Sequence, residues 1–320
     1  MKRHRRGIVT AIAAAAALLS ACAAPRPERP VQAWSYVGTR LPSYWWYTLV
    51  DIGGARAKEM TGSGRNVAIL DTGVLPGHED LKVVGAGAAT CGSNSADTTD
   101  VNGHGTQLAG IAVGRDPGRA TRGAAPDAQL IPIKVSCGLV TADALTRGVD
   151  GALARRADIV LLAVGGYPTG PPDVAAFLAD RIAKNPGVLF VVASVWAGAR
   201  YPLPQWTRQD NAIVVAPMTL DDYKREVAFL ERQGDIWAPG RDVETADIVP
   251  DPVDSKFHAQ YMMQGSSAAS AIVAGCAALV KARTGQGGAA LKTALIGAAE
   301  VKPDLGAPDR RRLNCARAIP

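Results

Sequence analysis

An α/β fold, built as a mostly parallel β-sheet with helices on both faces, is the architecture this 320-residue sequence predicts. Two observations predict it. Short apolar runs recur at Val67–Leu70, Gln129–Val135, Ile159–Val164, Val188–Ala193 and Ala212–Ala216, as expected of strands buried on both faces. Between them, Thr141–Arg155 and Asp173–Lys184 carry apolar residues at helical spacing. Such alternation suits parallel pairing, because a parallel neighbour can be reached only through a crossover. No internal repeat or low-complexity insertion follows Trp45, and the length allows one large domain or two smaller ones.

Taken in order, the chain opens with a basic segment through Arg6, an apolar core from Ile8 to Leu18, and Leu19-Ser20-Ala21-Cys22. The core is short for a membrane span and reads as an export signal over residues 1–21. Leu19-Ser20-Ala21-Cys22 resembles the lipobox of bacterial lipoproteins, in which the cysteine is lipidated and becomes the new N-terminus. Cleavage near Ala24 and an uncleaved anchor are the alternatives. Ala23 stands where an aspartate would retain a lipoprotein at the inner membrane, so a Gram-negative source would imply the outer membrane. Residues 22–45 contain Pro25, Pro27, Pro30 and Pro42 and are expected to tether a domain spanning 46–320. Tyr44, Trp45, Trp46 and Tyr47 are expected to pack on that domain as the chain enters it, membrane contact being the other reading.

The net charge of +6 comes largely from Lys2, Arg3, Arg5 and Arg6; without them it falls to about +2, and no nucleic-acid partner is inferred. Setting Cys22 aside leaves Cys91, Cys137, Cys276 and Cys315, with no spacing suggestive of zinc or a redox pair. Three pairings are possible. Cys91 with Cys137 and Cys276 with Cys315 is favoured because each ties neighbouring parts of the chain, although Cys276 could equally be a free thiol in an apolar helix.

Three side chains could carry chemistry. Asp71 ends the first apolar run, His104 lies between two glycines where a helical pattern starts, and Ser267 opens the small-residue run Gln264–Gly275. Each has an ordinary reading: an aspartate capping a helix, a histidine in a turn, and Ser266 as N-cap of a packing helix. Together they supply a hydroxyl nucleophile, an imidazole to take its proton, and a carboxylate to fix and stabilise that imidazole. Helix-terminal N–H groups beside Ser267 could stabilise an oxyanion. Other chemistries lack their parts. Asp71-Thr72-Gly73 has no second copy for an aspartic-protease pair, the glycines after Val84 lack the third of a dinucleotide fingerprint, no phosphate-binding Gly-Lys-Ser/Thr is present, and His78-Glu79 has no second zinc-ligating histidine.

From about Trp46 onward the chain resembles the subtilisin-like serine proteases. Val67–Val74 resembles the aspartate motif of that family, Asn102–Thr106 its histidine motif, and Gly265–Ala269 its serine motif, with Ser266 in place of threonine and Ala268 in place of methionine. Gly123-Ala124-Ala125-Pro126, Ala238-Pro239-Gly240 and the stretch 312–318 agree with family landmarks. The resemblance implies a subtilisin-like fold and peptide hydrolysis through an acyl-enzyme, with Asp71, His104 and Ser267 catalytic and a polypeptide as substrate. It also implies that Ala163, Val164 and Gly165 pair with the substrate backbone and that the Ser267 N–H contributes to the oxyanion hole. Calcium, which members often bind, has no recognisable carboxylate loop here.

Departures from the family are informative. Trp196 stands at the position of the asparagine whose side chain completes the oxyanion hole, and loss of such a donor costs about 100- to 1,000-fold in turnover. A slow protease, a substitute donor from Ser194 or the Trp196 indole, or an inactive peptide-binding scaffold would each follow. Ala163 replaces the usual serine, and Ala271-Ile272 replaces Pro-His after the nucleophile. The interval from Cys22 to Trp46 is too short for an inhibitory prosegment. Oligomeric state and cleavage preference are not legible.

Overall fold

The sheet is assembled from short, wholly apolar strands. In a computed structural model, residues 45–83, 87–115, 122–138, 140–164, 172–194, 205–221, 226–229, 234–249, 261–301 and 310–320 are described. The first half runs α1 (Trp45–Leu49), α2 (Ile52–Ala57), β1 (Asn66–Asp71), β2 (Ala88–Ala89), α3 (His104–Val113), β3 (Gln129–Lys134), α4 (Ala142–Ala154) and β4 (Ile159–Leu162). It continues with α5 (Pro172–Ala183), β5 (Leu189–Ala193), β6 (Ala212–Asp221), β7 (Glu226–Phe229), β8 (Ile236–Pro239), β9 (Val243–Thr245) and β10 (Tyr261–Met263). The chain closes with α6 (Ser266–Thr284), α7 (Gly288–Ala298), β11 (Glu300–Val301), β12 (Arg311–Arg312) and α8 (Cys315–Ala318).

The main sheet has the order β11-β12-β8-β6-β5-β4-β1-β3-β2, with β7 paired to β6. Pairing from β12 through β2 is parallel, while β11 with β12 and β7 with β6 are antiparallel. A separate two-stranded sheet joins β9 to β10.

Side-chain alternation along the strands divides the core in two. Val67 and Ile69 of β1, with Ile159, Leu161, Leu189 and Val191, join a cluster containing α3 and α6. Ala68 and Leu70, with Val160, Leu162, Phe190 and Val192, face Leu145 and Val149 of α4 and Leu178 and Ile182 of α5. Helices therefore cover both faces, as the sequence predicts. Truncating a fully buried strand residue such as Leu70 to alanine is expected to cost about 2–5 kcal/mol.

The composition of α6 follows from its place. Every residue from Ala268 to Lys281 is buried, so this stretch of the helix has no solvent face. It crosses α3 at close range, and a Cβ on Gly275 would stand 2.7 Å from the carbonyl oxygen of Ala112. Alanine, serine and glycine at this crossing let the two backbones approach.

The expected strands and helices are present, with shifted ends. The fourth strand stops at Leu162, before Ala163 and Val164. β6 runs five residues past Ala216, because Pro217 and Met218 continue the parallel pairing with Ala238 and Pro239 of β8. Trp45, Trp46 and Tyr47 are buried, and Trp45 Nε1 donates to the Asp242 carbonyl at 3.1 Å, so these aromatics pack on the domain. Trp45 is thus part of the packed core. Both favoured disulfides, Cys91–Cys137 and Cys276–Cys315, are formed.

Candidate active site

The chemically capable side chains gather at the C-terminal ends of the central parallel strands, where α/β sheets bind ligands. Asp71 is the last residue of β1 and is 1% exposed. Its Oδ1 accepts from the Thr72 N–H at 2.8 Å and lies 2.7 Å from His104 Nδ1. A carboxylate can only accept, so Nδ1 carries the imidazole proton and Nε2 holds the basic lone pair. The other oxygen, Oδ2, is buried and has no hydrogen-bond partner among the described residues.

Burial acts to lower the His104 pKa. The charge of Asp71 and its hydrogen bond, with a smaller contribution from Asp100, outweigh burial and hold the imidazole above its ordinary value of 6.5. The ring is still reachable, with about a third of the side chain (34%) exposed.

His104 opens α3, where four backbone N–H groups have no partner within the helix. Gly103 at the N-cap brings no side chain, and neighbours supply all four acceptors. Asp100 Oδ1 accepts from Gly103 N at 2.8 Å, Asn102 Oδ1 from His104 N at 3.3 Å, Thr72 Oγ1 from Gly105 N at 2.9 Å, and Asp100 Oδ2 from Thr106 N at 2.9 Å. Thr72 directly follows the acid, so this cap also ties β1 to α3. The two segments meet backbone to backbone, since a Cβ on Gly105 would lie 2.1 Å from the Gly73 carbonyl oxygen.

The serine arrives from another direction. Gly265 N donates to Gly240 O at 2.7 Å, holding the turn that leads into α6 against the end of β8. Ser266 Oγ donates to the Ser194 carbonyl at 2.8 Å, just beyond β5. Ser266 is therefore not the N-cap; Gly265 holds that position without a side-chain bond. Ser267 is half-buried in the first turn, where its N–H has no intrahelical acceptor. Its Oγ donates to the Ala163 carbonyl at 3.2 Å. Among the described residues this is the only hydrogen bond of the Ser267 hydroxyl, and none joins it to His104.

Of the expected substrate-pairing residues, Ala163 and Val164 lie just past β4 and are buried, Val164 against α5. Their side chains are turned into the protein, which leaves only backbone groups for a peptide. Gly165, Trp196 and Cys22 lie outside the described residues. Sequence reading passed over Asp100, Thr72 and Thr106. The available signal was their position: four residues before the histidine, one after the acid, and two after the histidine.

A carboxylate, a hydrogen-bonded imidazole and a serine on the terminus of a buried helix, in that chain order on a mostly parallel sheet, define a serine peptidase of the α/β type. The match to the Subtilase family over residues 62–312 places the chain in that family. Subtilisin DY of Bacillus licheniformis is 29% identical over 237 residues, covering 72% of this chain and 82% of that protein. Subtilisin Savinase of Lederbergia lenta is 31% identical over 244 residues, covering 74% and 83%. Among solved structures, fervidolysin from Fervidobacterium pennivorans superposes with a TM-score of 0.71 at 20% identity, covering 86% of this chain and 45% of that one. At that identity the superposition speaks for the fold.

Proposed function

We propose that this protein is a lipid-anchored serine endopeptidase of the cell envelope, in which Ser267 attacks, His104 acts as general base and acid, and Asp71 orients and stabilises the imidazole. The observation that carries the reading is the 2.7 Å contact of buried Asp71 with His104 Nδ1, which leaves Nε2 as the base. Ser267 Oγ adds to the peptide carbonyl carbon and its proton passes to Nε2. The oxyanion is met by the Ser267 N–H at the positive end of α6. Collapse of the adduct expels the amine with the proton from His104, and water then releases the acyl group by the same route. Before attack, the Ser267 hydroxyl must turn from the Ala163 carbonyl toward His104.

Export is supported by the two disulfides, which suit an oxidising compartment. No helix among the described residues is long and apolar enough to cross a membrane. In this reading the anchor is a lipid on Cys22, with residues 22–45 as tether and an outer-membrane address in a Gram-negative host. Cys22→Ala should move the protein from the membrane to the soluble fraction, and an unchanged distribution would remove the anchor from the proposal.

A second reading, a peptide-binding scaffold with little turnover, is favoured by the Ser267–Ala163 bond and by Trp196 at the usual asparagine position. A fluorophosphonate probe separates the two. Labelling that disappears in Ser267→Ala supports the peptidase, and folded protein that neither labels nor cleaves peptide supports the scaffold.

A further inference from the structure

We infer that Asp100 is a positioning residue for the acid–base pair, clamping the loop that leaves Asp71 to the helix that begins with His104. The inference rests on the catalytic reading of Asp71 and His104 above.

Asp100 is 2% exposed, and both its oxygens are fully engaged. Oδ1 accepts from Asn102 N at 2.9 Å and Gly103 N at 2.8 Å; Oδ2 accepts from Thr106 N at 2.9 Å and Thr106 Oγ1 at 2.7 Å. Four donors around two oxygens suit a carboxylate and would not suit an amide, whose NH2 would be turned against two of them. The clamp reaches across to the acid's side. Asp100 N donates to the Val74 carbonyl at 3.3 Å, and Thr106 Oγ1 accepts from Leu75 N at 3.0 Å. Residues 74–75, just after Asp71, and residues 102–106, around His104, are thereby held by one buried group. Lys134 Nζ fixes the loop from behind, donating to the Thr99 carbonyl at 2.6 Å.

A helix cap alone would not need a charge. The charged groups acting on His104 are Asp71, from the end of β1, and then Asp100, from the loop before α3, and both favour the protonated imidazole. Asp100 thus contributes geometry and field to the same ring without touching a reacting atom.

The test uses the full chain and the variants Asp100→Asn, Thr106→Val and Thr106→Ser. The His104 titration is followed by NMR in a Ser267→Ala background, and kcat and KM are measured against pH on a peptide substrate. In Asp100→Asn the His104 midpoint and the acid limb of kcat/KM should move down together, with kcat about 10-fold lower and KM within about two-fold. Thr106→Val, which keeps the charge, should lower kcat, and Thr106→Ser should restore it. An Asp100→Asn protein that loses thermal stability while the His104 midpoint and pH profile stay fixed would reduce Asp100 to a structural cap and overturn the inference. Should that variant fail to fold, wild-type kcat in Thr106→Val would overturn it equally. If the wild type neither labels with fluorophosphonate nor cleaves peptide, the catalytic reading fails, while the His104 midpoints still decide whether Asp100 acts on the ring.

Discussion

His78 and His104 make a natural comparison. His78 lies on the loop that follows β1 and His104 in the first turn of α3; burial pushes both imidazoles toward neutrality, yet their pKa values move in opposite directions. Next to His104 stands the carboxylate of Asp71, 2.7 Å from Nδ1, and its charge reverses the effect of burial. His78 is 2% exposed and accepts the Asp80 N–H on Nδ1 at 3.2 Å, and the Asp247 backbone acts to raise its pKa. Asp80, Asp247 and Glu79 act on it too, but burial wins and its pKa is lowered. A buried histidine is thus made a base or a neutral tie by the group opposite it. The first arrangement suits catalysis, and the second ties the turn at residues 78–80.

The largest expected contrast is in turnover. His104→Ala should lower kcat by about 10,000-fold or more with a modest change in Tm, because the proton acceptor is gone. His78→Gln should leave kcat within about three-fold and lower stability by about 1–3 kcal/mol, as buried partners lose their bonds. Steady-state kinetics and thermal melts on both variants check this, and a collapse of kcat in folded His78→Gln would break the division of roles. Next in size is Gly105→Ala. A methyl group 2.1 Å from the Gly73 carbonyl must part β1 from α3 at the Asp71–His104 contact, so kcat should fall about 100-fold together with Tm. Wild-type kinetics in that variant would show that the pair tolerates separation.

How far these roles can be read from the sequence depends on where their partners lie. Asp71, His104 and Ser267 announce themselves because each sits at a strand end or helix start with glycine close by. The central strands are legible for a similar reason: five apolar runs lie between recognisable breaks. The apolar run expected as a strand ends at Ala216, yet Pro217 continues β6 and pairs in register with Ala238 of β8. For His78 the sequence shows only that no second zinc-ligating histidine follows; its burial, which decides its pKa, comes from the fold. Asp100 is close to His104, but its value comes from Thr106 and from Val74, which only the fold brings near. The direction of the Ser267 hydroxyl is conformational, and composition and spacing carry no record of it.

The smallest effect is the most discriminating, because its sign differs between the two rings. Stability rises with pH wherever the unfolded chain binds more protons than the folded one. The folded pKa of His78 is lowered, so below the ordinary value of 6.5 the unfolded chain takes up a proton that the folded protein refuses. Acidification from 6.5 through the folded pKa should therefore destabilise. For His104 the folded pKa is raised, and between 6.5 and that value the folded protein holds the extra proton. Its contribution is complete below 6.5 and is lost as pH rises through the folded pKa. Thermal melts from about pH 5 to 9 in the Ser267→Ala background should show both slopes. His78→Gln should flatten the acid side alone, and His104→Gln the fall above 6.5 alone. The same folded pKa governs the acid limb of kcat/KM, since His104 must be neutral to accept the serine proton, so activity should fall as pH drops through a value above 6.5. An acid limb at or below 6.5 would mean that Asp71 does not hold the imidazole in solution as it does in this structure.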